Sequence, residues 1–299
     1  MSDADIMEVR VDEDKVQTEA RACGLCGSTR SKLWLRADNL RRGTKRYFDV
    51  VECLDCSFRF TSPSPTRESM RLYYPEHYES WQGSLSLPLR VYYRLFRAIP
   101  RPPGRILDIG CGHGGYLYLM RELGWTCSGQ DISPVPEAVT RDFPFFKGEV
   151  QDAPFPAGSF DVITSWFSIE HLRDPLLSLK KCHEMLKPGG LIAIDTSNSD
   201  SLEASLFGRY WHHLLVPEHY WQFTEESLRR MVEAAGFRVV RVRHDALSFG
   251  FINSLQHMLK DRKIPVRIAN PLTKLLTVPF DLAAAALRRS ALITVYAVK

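Results

Sequence analysis

The chain has 299 residues, 44% of them hydrophobic, with 39 Lys and Arg against 35 Asp and Glu, the balance of a globular protein able to bury one large core and a smaller appendage. No apolar run reaches the roughly 18 residues that a membrane-spanning helix needs, and the N-terminal stretch lacks the basic, apolar, small-residue order of a secretory signal. A cytoplasmic protein is expected.

Residues 1–20 hold seven acids against two bases and few apolar groups, which predicts a disordered acidic tail. Residues 21–62 contain two C-x-x-C pairs, Cys23/Cys26 and Cys53/Cys56, in "CGLCGS" and "ECLDCSF". Each pair followed by a small or turn residue can form a knuckle presenting two thiolates, and two knuckles close a tetrahedral Zn2+ site. Free-thiol turns or redox couples are the alternative, but they do not explain two knuckles in one short segment. Four thiolates leave no open position on the metal, so its role is structural, and residues 21–62 read as a small zinc-ribbon-like domain. Residues 63–100 read as a linker and helical lead-in, with Leu89, Tyr92, Tyr93 and Phe96 at helical spacing.

After "RPPG" a new domain of alternating elements is expected over 101–299: strand "RILDIG", helix "GGYLYLMRELG", strand "WTCSGQDIS", helix "PVPEAVTRDF", strands "FPFFKGE" and "FDVITSWF", helix "DPLLSLKKCHEMLKPGG", strand "LIAIDTS". Helix "TEESLRRMVEAAGF" follows, with Thr224 as its cap and Gly236 as its stop, then strands "RVVRVRH" and "ALITVYAV". Such alternation predicts an α/β, Rossmann-like sheet with its ligand at the strands' carboxyl ends.

In "LDIGCGHGG", Gly110, Gly112 and Gly115 match a dinucleotide turn, yet Asp108 beside them would repel a pyrophosphate. It suits instead a ligand carrying an ammonium and a sulfonium. Asp131 ends the second strand, where an acid can accept from ribose hydroxyls, and Glu149 ends the third, with the backbone of Val150 beside it.

These segments, with "FPAGSFDVI", "SIEHLRDP", "LKPGGLIAIDTSN" and "AAGFRVV", resemble in order the class I S-adenosylmethionine-dependent methyltransferases, over about Arg105 to His244. The resemblance implies seven strands with the last antiparallel, and S-adenosyl-L-methionine as cofactor. It places Asp108, Gly110 and Gly112 at the methionine end, Asp131 and Ile132 at ribose and adenine, and Glu149 and Val150 at the adenine edge. Trp166 and Phe167 would flank the cofactor or serve as core. The cysteine-rich start with "SPSP" and "YYPEHY" is similar to methyltransferases of saccharides, lipids and small metabolites.

Transfer to a hydroxyl needs a base of near-neutral pKa, and His171 and His219 are the candidates, each with a purely site-shaping role as the alternative. Trp211, Tyr220, Trp221 and Phe223 suggest an enclosing aromatic pocket. The expected reaction is O-methylation of a small-molecule acceptor: a saccharide, glycolipid precursor or secondary metabolite. An RNA methyltransferase gripping phosphate through the ribbon and the basic segment 21–100 is the alternative. The insertion 245–290 joins apolar helical stripes to Lys260, Arg262, Lys263, Arg267, Arg288 and Arg289. A helical cap on the sheet edge, a substrate lid, a dimer contact and peripheral membrane contact through 251–290 are all open to it.

Overall fold

A computed structural model of the chain describes residues 11–40, 46–74, 87–248, 250–264, 268 and 270–299. The strands are β1 (Thr18–Glu19), β2 (Ser31–Asp38), β3 (Tyr47–Cys53), β4 (Arg59–Thr61), β5 (Ser64–Pro65), β6 (Arg105–Ile109), β7 (Thr126–Asp131), β8 (Phe145–Lys147), β9 (Phe160–Trp166), β10 (Leu186–Ser197), β11 (Trp221–Gln222), β12 (Arg238–His244) and β13 (Leu292–Val298). The α-helices are α1 (Arg67–Met70), α2 (Leu87–Phe96), α3 (Gly115–Glu122), α4 (Glu137–Asp142), α5 (Pro175–Met185), α6 (Leu202–Phe207), α7 (Glu225–Ala234), α8 (Gly250–Asp261), α9 (Pro271–Leu276) and α10 (Val278–Ala286). They form two compact units, one of residues 1–75, 196–228 and 243–293, the other of 76–195, 229–242 and 294–299.

The second unit is built on a seven-stranded sheet ordered β12-β13-β10-β9-β6-β7-β8. β8, β7, β6, β9 and β10 are mutually parallel. β13 runs against β10: Lys299 N donates to Gly190 O near the start of β10, whereas Asn198 N just beyond its end donates to Ala291 O. Parallel strands covered on both faces need continuous apolar runs, and four of five residues in β6 are buried. Ile106, Leu117, Val139, Val162, Ala193 and Tyr296 share this core, and α2 joins it through Tyr93, whose ring meets Tyr116 edge-on at 5.7 Å.

Helix ends follow local chemistry. Asp174 caps α5 by accepting from Leu177 N at 2.9 Å, ahead of Pro175. Thr224 Oγ1 accepts from Ser227 N at 3.1 Å at the head of α7, and Gly236 follows that helix at φ 99°. One boundary differs from expectation: α5 stops at Met185, and "LKPGG" belongs to β10, which breaks register between Leu186 and Leu191. Pro188 has no N–H for a helical bond and the two glycines favour turns.

The first unit is assembled from three stretches of chain. Its four-stranded sheet runs β11-β4-β3-β2, so the cysteine-rich hairpin takes its fourth strand from residues 221–222. Phe58 stacks on Trp221 at 5.6 Å and 9° between ring planes, and meets Phe223 at 5.1 Å with the rings tilted by 43°. The expected disordered tail is corrected at its C-terminal end: β1 pairs with β5, Val16 is buried, and Arg46 donates to the carbonyls of Glu13 and Val16. Residues 1–10 lie outside the described residues. β5 and α1 likewise give regular structure to 64–70, at the start of the expected linker; its segment 75–86 lies outside the described residues.

Candidate functional site

The glycine turn after β6 is fixed by hydrogen bonds from the neighbouring strand. Gly110 N donates to Gln130 O at 2.8 Å, and Gly112 N donates to Asp131 Oδ2 at 2.9 Å. Ser133 N donates to the other oxygen, Asp131 Oδ1, at 2.8 Å. Gly110, Gly112 and Gly114 have φ of 68°, 51° and 77°, a region that side chains with a Cβ rarely enter. The turn then opens α3, whose first amides have no intrahelical partner.

Asp108 sits one residue before the end of β6, level with Gly129 on β7 and Thr164 on β9. Thr164 Oγ1 donates to Asp108 Oδ1 at 2.6 Å. Burial pushes Asp108 up to about 7; the Thr164 hydroxyl opposes that rise, the Asp131 carboxylate adds to it, and Arg97 opposes it. Burial also raises Asp131, against the amides of Ser133 and Gly112. Two buried carboxylates at adjacent strand ends form a place where a positive ligand is favoured and a pyrophosphate is not.

The other predicted residues of this unit lie around the same strand ends. Ile132 follows Asp131 and is half-exposed; Glu149 and Val150 are buried just beyond β8, so at Val150 the backbone is the group able to meet a ligand. Trp166 ends β9 and packs edge-on against Tyr116 at 5.5 Å. Phe167 follows at φ 52°, partly exposed, with its N–H on Asp195 O. His171 closes the short 3-10 turn Ile169–His171 and is half-buried.

The Methyltransferase domain family model matches residues 85–242, more than half of the chain. The chain belongs to the methyltransferase-domain family. Its sheet order, with the last strand antiparallel, is the Rossmann-like class I methyltransferase fold. Among curated proteins, the chain is 34% identical over 149 residues to a ubiquinone biosynthesis O-methyltransferase of Cereibacter sphaeroides (strain ATCC 17029 / ATH 2.4.9), covering 44% of this chain and 59% of that one. It is 30% identical over 154 residues to one of Xanthomonas campestris pv. campestris (strain B100), covering 47% and 64%. The chain thus spans about three fifths of the curated relatives it matches. A solved SAM dependent methyltransferase from Archaeoglobus fulgidus aligns at 20% identity and TM-score 0.49, covering 71% of this chain and 93% of that chain.

In the first unit, Cys23, Cys26, Cys53 and Cys56 bring their sulfurs within 4.8 Å of one another. Cys23 Sγ lies 3.4 Å from Cys56 Sγ, and Cys26 Sγ 3.6 Å from Cys53 Sγ. A tetrahedron with metal–sulfur bonds of about 2.3 Å has edges of roughly 3.8 Å, so the donor set and spacing fit zinc. Each knuckle closes alike, Gly27 N on Cys23 O and Ser57 N on Cys53 O, with Gly27 and Ser57 both left-handed. Burial pushes the Cys23 thiol up to about 11 and raises Cys56 as well. At Cys53 burial is outweighed by the amides of Asp55 and Cys56, and that thiol is lowered.

His219 lies in this same unit, buried on a segment tied to the ribbon: Thr61 Oγ1 donates to His219 O at 3.0 Å, Thr61 N donates to Tyr220 O at 2.8 Å, and Asn39 Nδ2 donates to Glu218 Oε2 at 2.5 Å. The expected aromatic pocket is corrected here. Trp211, Tyr220, Trp221 and Phe223 are all buried core, the last three beside the ribbon: Trp221 stacks on Phe58, and Arg21 lies 4.5 Å over Tyr220.

Sequence reasoning missed four groups in the second unit. Gln130 braces the turn, donating from Nε2 to Gly148 O at 2.5 Å. Thr164 bonds Asp108. Arg97 and Asp195 form a fully buried ion pair at 2.5 Å, with the guanidinium 4.6 Å from the Trp166 ring and 4.9 Å from Phe167. Thr164 was findable once β6 and β9 were aligned in register; nothing in "LFRAIP" marks Arg97 as buried.

The turn yields a graded test. A Cβ at Gly110 would meet Ser168 Oγ at 2.2 Å, whereas at Gly112 it meets no atom within 4 Å. Gly110→Ala is expected to lower affinity for S-adenosylhomocysteine at least ~10-fold and to reduce stability. Gly112→Ala, strained only in φ, loses markedly less stability, as calorimetry and thermal melts would read.

Proposed function

We propose that this chain transfers a methyl group from S-adenosylmethionine to an oxygen of a small-molecule acceptor. The observation that carries the reading is the pair of buried carboxylates, Asp108 and Asp131, at adjacent strand ends beneath a glycine turn. The donor supplies an electrophilic methyl on a positively charged sulfur. Asp108, with the turn at Gly110 and Gly112, holds the ammonium end; Asp131 accepts from ribose hydroxyls beside Ile132; Glu149 and the Val150 backbone meet the adenine edge. Trp166 and Phe167, ordered by Arg97, form a wall that keeps water from the reacting atoms. His171 and His219 are the groups proposed to take the proton of the acceptor hydroxyl.

The names of the curated relatives support a hydroxyl-bearing small molecule and give no particular weight to a saccharide. Four cations among the described residues of the ribbon speak against RNA. Arg30 pairs with Asp55, Lys32 with Glu52, Arg36 with Asp49, and Arg59 with Glu52 and Asp200. Such charges are already matched and give a polyanion little to neutralise. The four thiolates are proposed to hold one structural zinc.

Two measurements test the transfer itself. Labelled donor should methylate an acceptor in a small-molecule extract and leave total RNA unlabelled. Replacing the true base by Ala, His171 or His219, should cut kcat about 100-fold or more with S-adenosylhomocysteine affinity unchanged; RNA labelling, or full activity in both variants, would refute the assignment.

For pH, the sign follows from Asp108. Its folded pKa, about 7, lies above the ordinary 3.8, so its contribution to stability is complete below the unfolded pKa and is lost as pH rises through 7. A cationic donor favours the ionised carboxylate. Binding should therefore expel a proton in acid and tighten from pH 5.5 to 7.5, below the range of about 7.7–8.0 where an α-amino group deprotonates. Asp108→Asn flattens that profile in titration calorimetry.

Metal analysis should find one zinc per chain. Cys53→Ser or a strong chelator should remove it and shift Trp fluorescence, because Trp221 packs on the ribbon.

A further inference from the structure

The helical stretch after β12 bears a surface that neither the carboxylate pair nor the thiol cluster uses. α8 runs out into five consecutive exposed residues, Lys260, Asp261, Arg262, Lys263 and Ile264, and Lys263, at φ 59°, closes the helix. The amide of Ile268 donates to Gln256 Oε1 at 2.6 Å and folds the chain back on α8. α9 then starts from a side-chain cap, with Asn270 Oδ1 accepting from the amides of Leu272 and Thr273 at 3.0 and 3.1 Å.

That cap fixes which way α9 faces. Leu272, Leu275 and Leu276, spaced i, i+3, i+4, share one side of the helix and are 76%, 60% and 79% exposed. Leu282 and Leu287, on and just beyond α10, are 52% and 65% exposed. Single exposed leucines are ordinary; three on one face of α9, with two more exposed on the next helical segment, are apolar exposure of the kind that marks an interaction site.

The charge around the patch selects its partner. Residues 251–290 carry seven Lys and Arg against two acids. Of those acids, Asp281 is buried and accepts from Ser248, and Asp261 is held by Arg209 at 2.7 Å. Arg288 and Arg289 are engaged within the unit, with Glu225 and with Asp200 O and Ser205. Lys260, Arg262 and Lys263 make no ion pair among the described residues and face water. No described helix is long and apolar enough to cross a membrane, so the patch can lie on a bilayer without entering its far half.

We infer that residues 260–287 dock the protein on an anionic lipid surface, the leucines set among acyl chains and the three cations against headgroup phosphates. This inference does not rest on the proposed methyl transfer. A short leucine face beside a compact cationic turn matches the apolar interior and anionic rim of a fluid bilayer, which needs no shape-matched groove.

The test is co-sedimentation of the full chain with vesicles of phosphatidylcholine alone or mixed with about half phosphatidylglycerol, alongside light scattering for oligomeric state. Binding to the anionic vesicles, weakening with salt, is expected. Substituting Lys260, Arg262 and Lys263 by Gln should weaken it roughly 100-fold, and substituting Leu272, Leu275 and Leu276 by Ser at least ~10-fold. Both sets are exposed, so thermal melts should stay unchanged. No binding to anionic vesicles, equal binding to neutral ones, or a dimer that the leucine variants dissociate would each overturn the proposal, the last by showing that a second copy covers the face.

Discussion

Two carboxylates held out of water at neighbouring strand ends set the terms for the carboxyl end of the seven-stranded sheet. Burial opposes the charge on Asp108 and Asp131, and the Asp131 carboxylate makes Asp108 harder still to ionise. The protein sustains them by spending backbone amides on Asp131 and a threonine hydroxyl on Asp108. A cation arriving between the strands relieves that tension, which a phosphate-bearing nucleotide could not do. The glycine turn matters for the same reason: it brings amides to Asp131 at φ values that other residues adopt only with strain.

Around this pair a second charged couple is hidden more deeply. Arg97 and Asp195 are both fully buried, and such pairs contribute little net stability, because desolvation offsets attraction. What the pair provides is placement. Its guanidinium lies against Trp166 and Phe167, and Phe167 is held left-handed with its amide on Asp195 O. Removing either partner would leave an unmatched charge in the core, the costliest change available at this end of the sheet.

Much of this was legible in the amino-acid order. The continuous apolar run of β6, the glycine turn, the acids closing β6 and β7, the Thr224 cap and the paired cysteines are signals read within a few residues, and local chemistry enforces them. The illegible parts depend on distant partners. β11 is two residues long, "WQ", with no periodicity to betray a strand; it exists because β4 offers a free edge and Phe58 a ring to stack on. The aromatic residues beside it therefore read as a pocket when they are core. "LKPGG" looked like a helix end and is the irregular start of β10. The composition of the first unit, three stretches of chain sharing one fold, leaves no mark in any one of them.

That composite ribbon has a consequence for how the chain is made. Thr61 bonds to His219 across 158 positions, and β4 gains its outer neighbour only from residues 221 and 222. During synthesis the amino-terminal hairpin leaves the ribosome with one edge bare and its phenylalanines uncovered, and it must wait for most of the chain to emerge. Long-separation pairings of this kind form slowly, so the nascent hairpin is where chaperones and early metal capture would have most effect on yield.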